Sequence, residues 1–197
     1  STHPGHVYGK SDKSGVDEAA YDEISTMEKA AEILEENGFS TEIISSGSTP
    51  TYSAALKSSR LNVFHPGNYV FMDYIQMSLG CAKEEECALT VAATVISSPR
   101  EGVFIIDAGA KCLGLDKGAH GNSAISGYGY VKNHPELTVY SLSEEVGKIS
   151  ASGKTGLKTG DRIEIIPNHS CSSANMTKYF ICTRNGEAKR LIETDIR

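Results

Sequence analysis

Apolar residues fall at helical spacing in residues 17–37, with Ile24, Met27, Ala31 and Leu34 on one face. That run stops at Asn37-Gly38, a helix C-terminal signal. Short apolar stretches at 41–45, 61–65, 88–97 and 103–107 predict strands. Two helices are predicted among them. One covers 50–59, with Ser48 or Thr49 as cap and Pro50 in its first turn; the other covers the apolar run 70–79. Strand, loop and helix repeated in this way predict parallel α/β units.

The texture changes after about residue 116. Residues 120–129 are rich in Gly and Ser and predict a loop. Strands are predicted at 137–142, 162–166 and 178–183, with turns at Asn133-His134-Pro135 and Arg184-Asn185-Gly186. Asn185-Gly186 between the apolar runs 179–183 and 188–192 is a strong hairpin signal. The expected fold class is therefore α/β plus all-β. The α/β part is expected over residues 1–115 and a small antiparallel β domain over 116–197. Four or five strands in the first half are too few to close an eight-stranded barrel. Either that sheet is open or part of the barrel is missing.

A length of 197 residues suffices for one good core or two small ones. The formal net charge of −6, with 19 scattered Lys and Arg, argues against nucleic acid or an anionic membrane as partner. No apolar run reaches the length of a membrane span. The start, Ser1-Thr2-His3, has neither an initiator Met nor a signal-peptide pattern, as in a fragment or a processed chain. Five cysteines, an odd number without scaffold density, point to a reducing compartment and a cytoplasmic location.

Several segments carry candidate chemistry. Pro167-Asn168-His169-Ser170-Cys171 follows a predicted strand. In extended chain residues i and i+2 point to one side, so His169 and Cys171 are candidates to share a metal ion. Imidazole nitrogen with thiolate sulfur suits Zn2+ better than Mg2+ or Ca2+. A capped turn with a buried cysteine is the competing reading. Ser46-Gly47-Ser48-Thr49-Pro50-Thr51 joins a strand to a helix. Gly47 admits close backbone approach, Ser48 and Thr49 bring hydroxyls, and the helix start brings N–H groups, the parts of a phosphate cradle. The same residues also make an ordinary helix cap. His65-Pro66-Gly67-Asn68-Tyr69 is a second strand-end turn, and adjacent barrel strands would bring both loops to one face. His3-Pro4-Gly5-His6-Val7-Tyr8-Gly9 either lines a pocket or frays. Asp107 at a strand end either orients a site group or caps a turn. Lys111 has the chemistry for a Schiff base, though a solvated surface lysine is the simpler reading.

Taken together and in order, HPGHVYG, SSGSTPT, HPGNYVFMD, CALTVAATVISSP, IIDAGAK and GDRIEIIPNHSC resemble the D-threonine aldolase and eukaryotic-type D-serine dehydratase family. These are fold-type III pyridoxal-phosphate enzymes related to alanine racemase, and the resemblance runs over nearly the whole chain; it implies a partial (β/α)8, TIM-type barrel over residues 1–115. It implies that Gly47, Ser48 and Thr49, with Gly67, Asn68 and Tyr69, hold the cofactor phosphate. It places Tyr8 close to the cofactor ring and His169 and Cys171 on the metal near the substrate hydroxyl, with Asp107 in a supporting role.

The implied reaction is lysis of a D-β-hydroxy amino acid, such as D-serine to pyruvate and ammonia. D-Threonine to glycine and acetaldehyde is the alternative, and a non-catalytic fragment that binds metal or phosphate is the third. Cys171 favours zinc over Mn2+ or Mg2+ and so leans toward dehydratase. Three departures stand out. The family's cofactor lysine lies well before its G-H-x-Y segment and has no counterpart here, so the isolated chain is expected to be inactive. Val146 stands where the family often has histidine after the Glu144-Glu145 pair, and Ser172 where it has proline. A half barrel also leaves open edges, so pairing with a missing N-terminal half or as a homodimer is expected.

Overall fold

Asp12 begins the first long element. Its carboxylate accepts a hydrogen bond from the Gly15 N–H at 2.9 Å and caps α1, Lys13–Glu36. The helix thus starts ahead of the apolar periodicity at 17. Past the end of α1, Gly38 at φ +81° lets the Phe39 N–H reach the Leu34 carbonyl at 3.0 Å. The computed structural model describes residues 1–118 and 125–195. They fall into two compact units: Ser1–Ala88 with Gly118 and Ile125, and Leu89–Lys117 with Ser126 onward. The first half of the loop expected at 120–129, residues 120–124, lies outside the described residues.

In the first unit the strands β1 (Ser45–Ser46) and β2 (Val63–Phe64) pair in parallel. The short helices α2 (Tyr52–Ala55) and α3 (Tyr74–Ser78) follow them. A 3-10 turn, Gly5–Gly9, precedes α1. Val7, Val16, Ala19, Ile75 and Leu79 form one apolar cluster, and Ala31, Ile44 and Leu61 a second. Strand, helix and parallel pairing follow the expected α/β character, but on a small scale.

The second unit is a closed barrel of six antiparallel strands in the order β3-β4-β7-β6-β5-β8. These are β3 (Val91–Arg100), β4 (Val103–Ile106), β5 (Tyr130–Val131), β6 (Leu137–Leu142), β7 (Gly147–Ala151) and β8 (Arg162–Ile166). Alternate side chains point inward, as the pleat requires. Ala93, Val95, Phe104, Ile106, Val139, Ile149, Ile163 and Ile165 fill the interior at 6% exposure or less. Closure leaves this sheet without an unpaired edge. A hairpin of β9 (Tyr179–Arg184) and β10 (Glu187–Glu193) follows, turning at Asn185 and Gly186 with φ of +54° and +77°. Positive φ at both central residues is what Asn-Gly supplies.

The expected division at 115/116 moves to Leu89, because the runs read as the last strands of the α/β half are the first two strands of this barrel. Only Glu101 and Gly102 separate β3 from β4, and a two-residue link permits an antiparallel hairpin but no parallel crossover. Among the described residues β1 and β2 are the parallel pair, and no closed TIM-type barrel is formed. Strand β7 escaped the sequence pattern since Gly147, Ile149 and Ala151 offer one large inward side chain. No helix of the described residues is long and apolar enough to cross a membrane.

Candidate functional site

In the first unit the parallel pairing of β1 and β2 sets their following loops side by side. The Asn68 N–H donates to Thr49 Oγ1 at 2.9 Å, tying the Gly67-Asn68-Tyr69 turn to the Gly47-Ser48-Thr49 loop. Ser48 and Thr51 hydroxyls bond each other at 3.2 Å, and Ser48, Thr49, Thr51 and Asn68 are all buried. Gly47 sits at φ +127°, and a Cβ there would meet the His65 nitrogen at 3.3 Å. Only glycine holds that backbone without strain. The Asn68 amide donates to the buried carboxylate of Asp73, which also caps α3 through the Gln76 N–H at 3.0 Å.

Tyr8 is drawn to the same loop indirectly. The His3 ring stacks on Tyr8 at 6.5 Å, and its Nδ1 lies 3.1 Å from the Gly47 carbonyl oxygen. His6 takes no part and faces Asp22 on α1 at 3.6 Å. Tyr69 is 55% exposed and tilts against Tyr52. Helix α2 is four residues long, so it contributes little macrodipole to the loop before it. Composition gave no sign of Glu23, a buried carboxylate of α1 that accepts from the Ser46 hydroxyl.

The second candidate group lies where β8 ends. His169 is extended at φ −131° and ψ 102°, but Cys171 lies in a helical turn, α4 (Ser170–Asn175). Extended-chain alternation therefore does not set their relative direction; a run of small polar residues starts a helix instead. Asn168 is fully buried and its amide donates to the carbonyls of Asp116 at 2.6 Å and Gly127 at 2.9 Å. This clamp sets Asp116 beside the histidine, with Oδ2 3.9 Å from His169 Nδ1. Ser172 Oγ lies 3.4 Å from the same nitrogen. His169, Asp116 and Cys171 are all part-exposed and reachable from solvent. Asn168 Oδ1 and Ser173 Oγ are buried without a hydrogen-bond partner among the described residues. No group of three or more His, Cys, Asp or Glu is arranged around one metal position among the described residues. Imidazole nitrogen and thiolate sulfur on one short segment are donor types that zinc takes. Asp116 lies 53 positions from His169, and only the barrel topology reveals it.

The Asp107-Ala108-Gly109 segment is structural. Asp107 Oδ1 accepts from the Thr94 N–H at 2.6 Å, and its own N–H donates to the Thr94 carbonyl at 3.2 Å. Gly109 lies against the turn between β6 and β7, where a Cβ would come 2.3 Å from the Glu144 carbonyl oxygen. Lys111 is ion-paired with Glu145, whose hydrogen bond pushes the ammonium pKa up and keeps it charged. That is the solvated lysine, not a nucleophile.

The chain thus carries a closed antiparallel barrel and a unit with two loop-bearing parallel strands. The crystal structure of an alanine racemase-like protein from Idiomarina loihiensis matches 91% of this chain and 50% of its own at TM-score 0.81 and 30% identity. The family described as "Putative serine dehydratase domain" matches residues 88–183. D-serine dehydratase of Dictyostelium discoideum is 32% identical over 93% of this chain and 50% of its own length. An uncharacterized Mycobacterium bovis protein is 34% identical over 57% of this chain and 86% of its own. A cysteine-to-alanine mutant of D-threo-3-hydroxyaspartate dehydratase from Delftia, in the metal-free form, superposes at TM-score 0.86 with 27% identity, over 98% of this chain and 54% of that one. The chain belongs to the D-serine dehydratase and D-threonine aldolase family. It spans about half the length of the characterised relatives it matches.

Proposed function

We propose that this chain supplies the metal site and the phosphate loops of a pyridoxal-phosphate-dependent lyase for D-β-hydroxy amino acids, converting D-serine to pyruvate and ammonia. The observation that carries the reading is His169 and Cys171 in one short segment at the end of a barrel strand. In D-threo-3-hydroxyaspartate dehydratase a histidine-to-alanine and a cysteine-to-alanine mutant change residues two positions apart, and the structure of the cysteine mutant is of a metal-free form. The residue types and spacing are those of His169 and Cys171.

Each group then has a defined task. Gly47, Ser48 and Thr49 with Gly67, Asn68 and Tyr69 hold the cofactor phosphate in loops already tied by the Asn68 to Thr49 hydrogen bond. Tyr8, stacked on His3, borders the cofactor ring. His169 and Cys171 hold Zn2+, with Mn2+ or Mg2+ the alternatives, and leave coordination positions open toward the substrate hydroxyl. When bound, the cofactor supplies an electron sink and the metal a Lewis acid for the departing hydroxyl. Tyr21, Phe39 and Ile43 of the first unit are 75, 64 and 70% exposed, apolar surface suited to cover by further barrel strands or a second copy.

The test is product analysis with the protein from its complete gene, given pyridoxal phosphate and Zn2+, beside its His169→Ala and Cys171→Ala variants. Pyruvate from D-serine, abolished in both variants, is expected. Glycine and acetaldehyde from D-threonine without pyruvate from D-serine would establish the aldolase instead. Metal and phosphate binding without turnover of either would establish a binding remnant. The 197-residue chain alone is expected to turn over neither, because it carries no counterpart of the family's cofactor lysine.

A further inference from the structure

Resting on the metal reading above, we infer that Asp116 is a positioning residue that fixes which nitrogen of His169 faces the metal. Asp116 Oδ2 at 3.9 Å and Ser172 Oγ at 3.4 Å both face Nδ1. At 3.9 Å the carboxylate acts electrostatically, and it favours a proton on the nitrogen it faces. The proton then sits on Nδ1 and the lone pair on Nε2, as a metal ligand needs. Metal-bound histidines commonly give their second N–H to a carboxylate in this way, which holds the ring and raises its basicity.

The position of Asp116 is built into the fold. Asn168, adjacent in sequence to His169 and fully buried, donates to the Asp116 carbonyl at 2.6 Å. One asparagine therefore ties the backbone of the positioning residue to the backbone of the residue it positions. Gly114 reinforces the arrangement: at φ +74°, a Cβ there would touch the Asp116 carboxylate at 3.4 Å and Ser172 Cβ at 3.8 Å. The loop bearing Asp116 thus packs directly over the turn that carries His169 and Cys171.

The experiment compares the 197-residue chain with its Asp116→Asn, Asp116→Glu, Ser172→Ala and His169→Ala variants. Zinc affinity is read by competition with a chromophoric chelator. The metal-free histidine tautomer is read by nitrogen-15 NMR at pH 8, and coordination by the spectrum of the Co2+ form. Asp116→Asn is expected to weaken zinc about ten- to a hundredfold, to move the His169 proton from Nδ1 toward Nε2, and to leave the cobalt band pattern unchanged. Asp116→Glu should restore part of the affinity. Zinc binding that Asp116→Asn changes less than threefold, or a tautomer it leaves alone, overturns the inference and spares the metal reading. A smaller loss in Asp116→Asn than in Ser172→Ala gives the positioning role to the serine and overturns it too. An altered cobalt pattern makes Asp116 a ligand and overturns the positioning role. Absence of zinc binding, or binding undiminished in His169→Ala, defeats the metal reading itself and the inference with it.

Discussion

Replacing Gly109 by alanine tests whether the Asp107-Ala108-Gly109 segment is glycine-bearing for packing. Its φ of −119° is ordinary, so alanine adds no backbone strain there. Space decides the outcome. The new Cβ would lie 2.3 Å from the Glu144 oxygen, 2.5 Å from the Glu144 carbonyl carbon and 2.6 Å from that of Glu145. All three are backbone atoms and none can rotate away. The turn joining β6 and β7 must withdraw, and it is held to this segment by two hydrogen bonds. Ala110 N–H donates to Ser143 O at 2.8 Å and Lys111 N–H to Glu144 O at 3.1 Å. Overpacking of about 1–3 kcal/mol and weakening of bonds worth about 1 kcal/mol each combine to a destabilisation of roughly 2–4 kcal/mol. Hydrogen exchange of the Phe104, Ile106 and Ile149 amides reads the opening of the barrel. Their rates should rise about thirtyfold to nearly a thousandfold, since about 1.4 kcal/mol is tenfold. Gly153→Ala is the control, because nothing lies within 4 Å of its Cβ. Rates in Gly109→Ala within threefold of wild type would refute the packing argument.

Further expectations follow from single features. Asn168→Ala removes both clamp hydrogen bonds from a buried site and should cost about 2–4 kcal/mol in the same exchange experiment; a neutral result would contradict the clamp. Ile149→Ala, at 0% exposure in the barrel interior, should cost about 2–5 kcal/mol, checked by the same exchange rates. The Thr41 hydroxyl, and after it Arg60, holds the Glu35 carboxyl below 4.5. A depressed folded pKa means that its contribution is fully present above about pH 4.5. It is lost as pH falls through the lower folded value. Thr41→Val and Arg60→Gln should each move the Glu35 carbon-13 titration up in pH, and an unmoved curve counts against the assignment. Burial pushes the Cys81 and Cys112 thiols above 9. Iodoacetamide should modify both more slowly than a free model thiol at pH 8, with rates that climb beyond pH 9.

Local signals in the sequence were those with a short-range cause. Helix α1 follows its periodicity and its Asn37-Gly38 stop, and the β9–β10 hairpin follows Asn185-Gly186, which only needs positive φ. The loops at Gly47 and Gly67 also come together as expected, since β1 and β2 pair in parallel. Features set by partners distant along the chain stayed hidden. The six-strand closure depends on pairing Val91 with Ile165 and Val103 with Ser150, and no local pattern reports such pairings. Asp116 beside His169 and Glu23 under Ser46 are likewise products of topology. The same holds for Gly109, whose motif suggested chemistry while its cause is the backbone packed against it. At His169 and Cys171 the spacing was legible but the conformation was not, because the serines that follow the histidine start a helix.

X-ray absorption at the zinc edge of the zinc-loaded 197-residue chain tests the central claim most directly. One zinc per chain is predicted, with one sulfur at about 2.3 Å and nitrogen or oxygen neighbours at about 2.0–2.2 Å. The sulfur shell should vanish in Cys171→Ala, and one imidazole should vanish in His169→Ala. A zinc shell without sulfur in the unmodified chain, or one unchanged in either variant, would contradict the account.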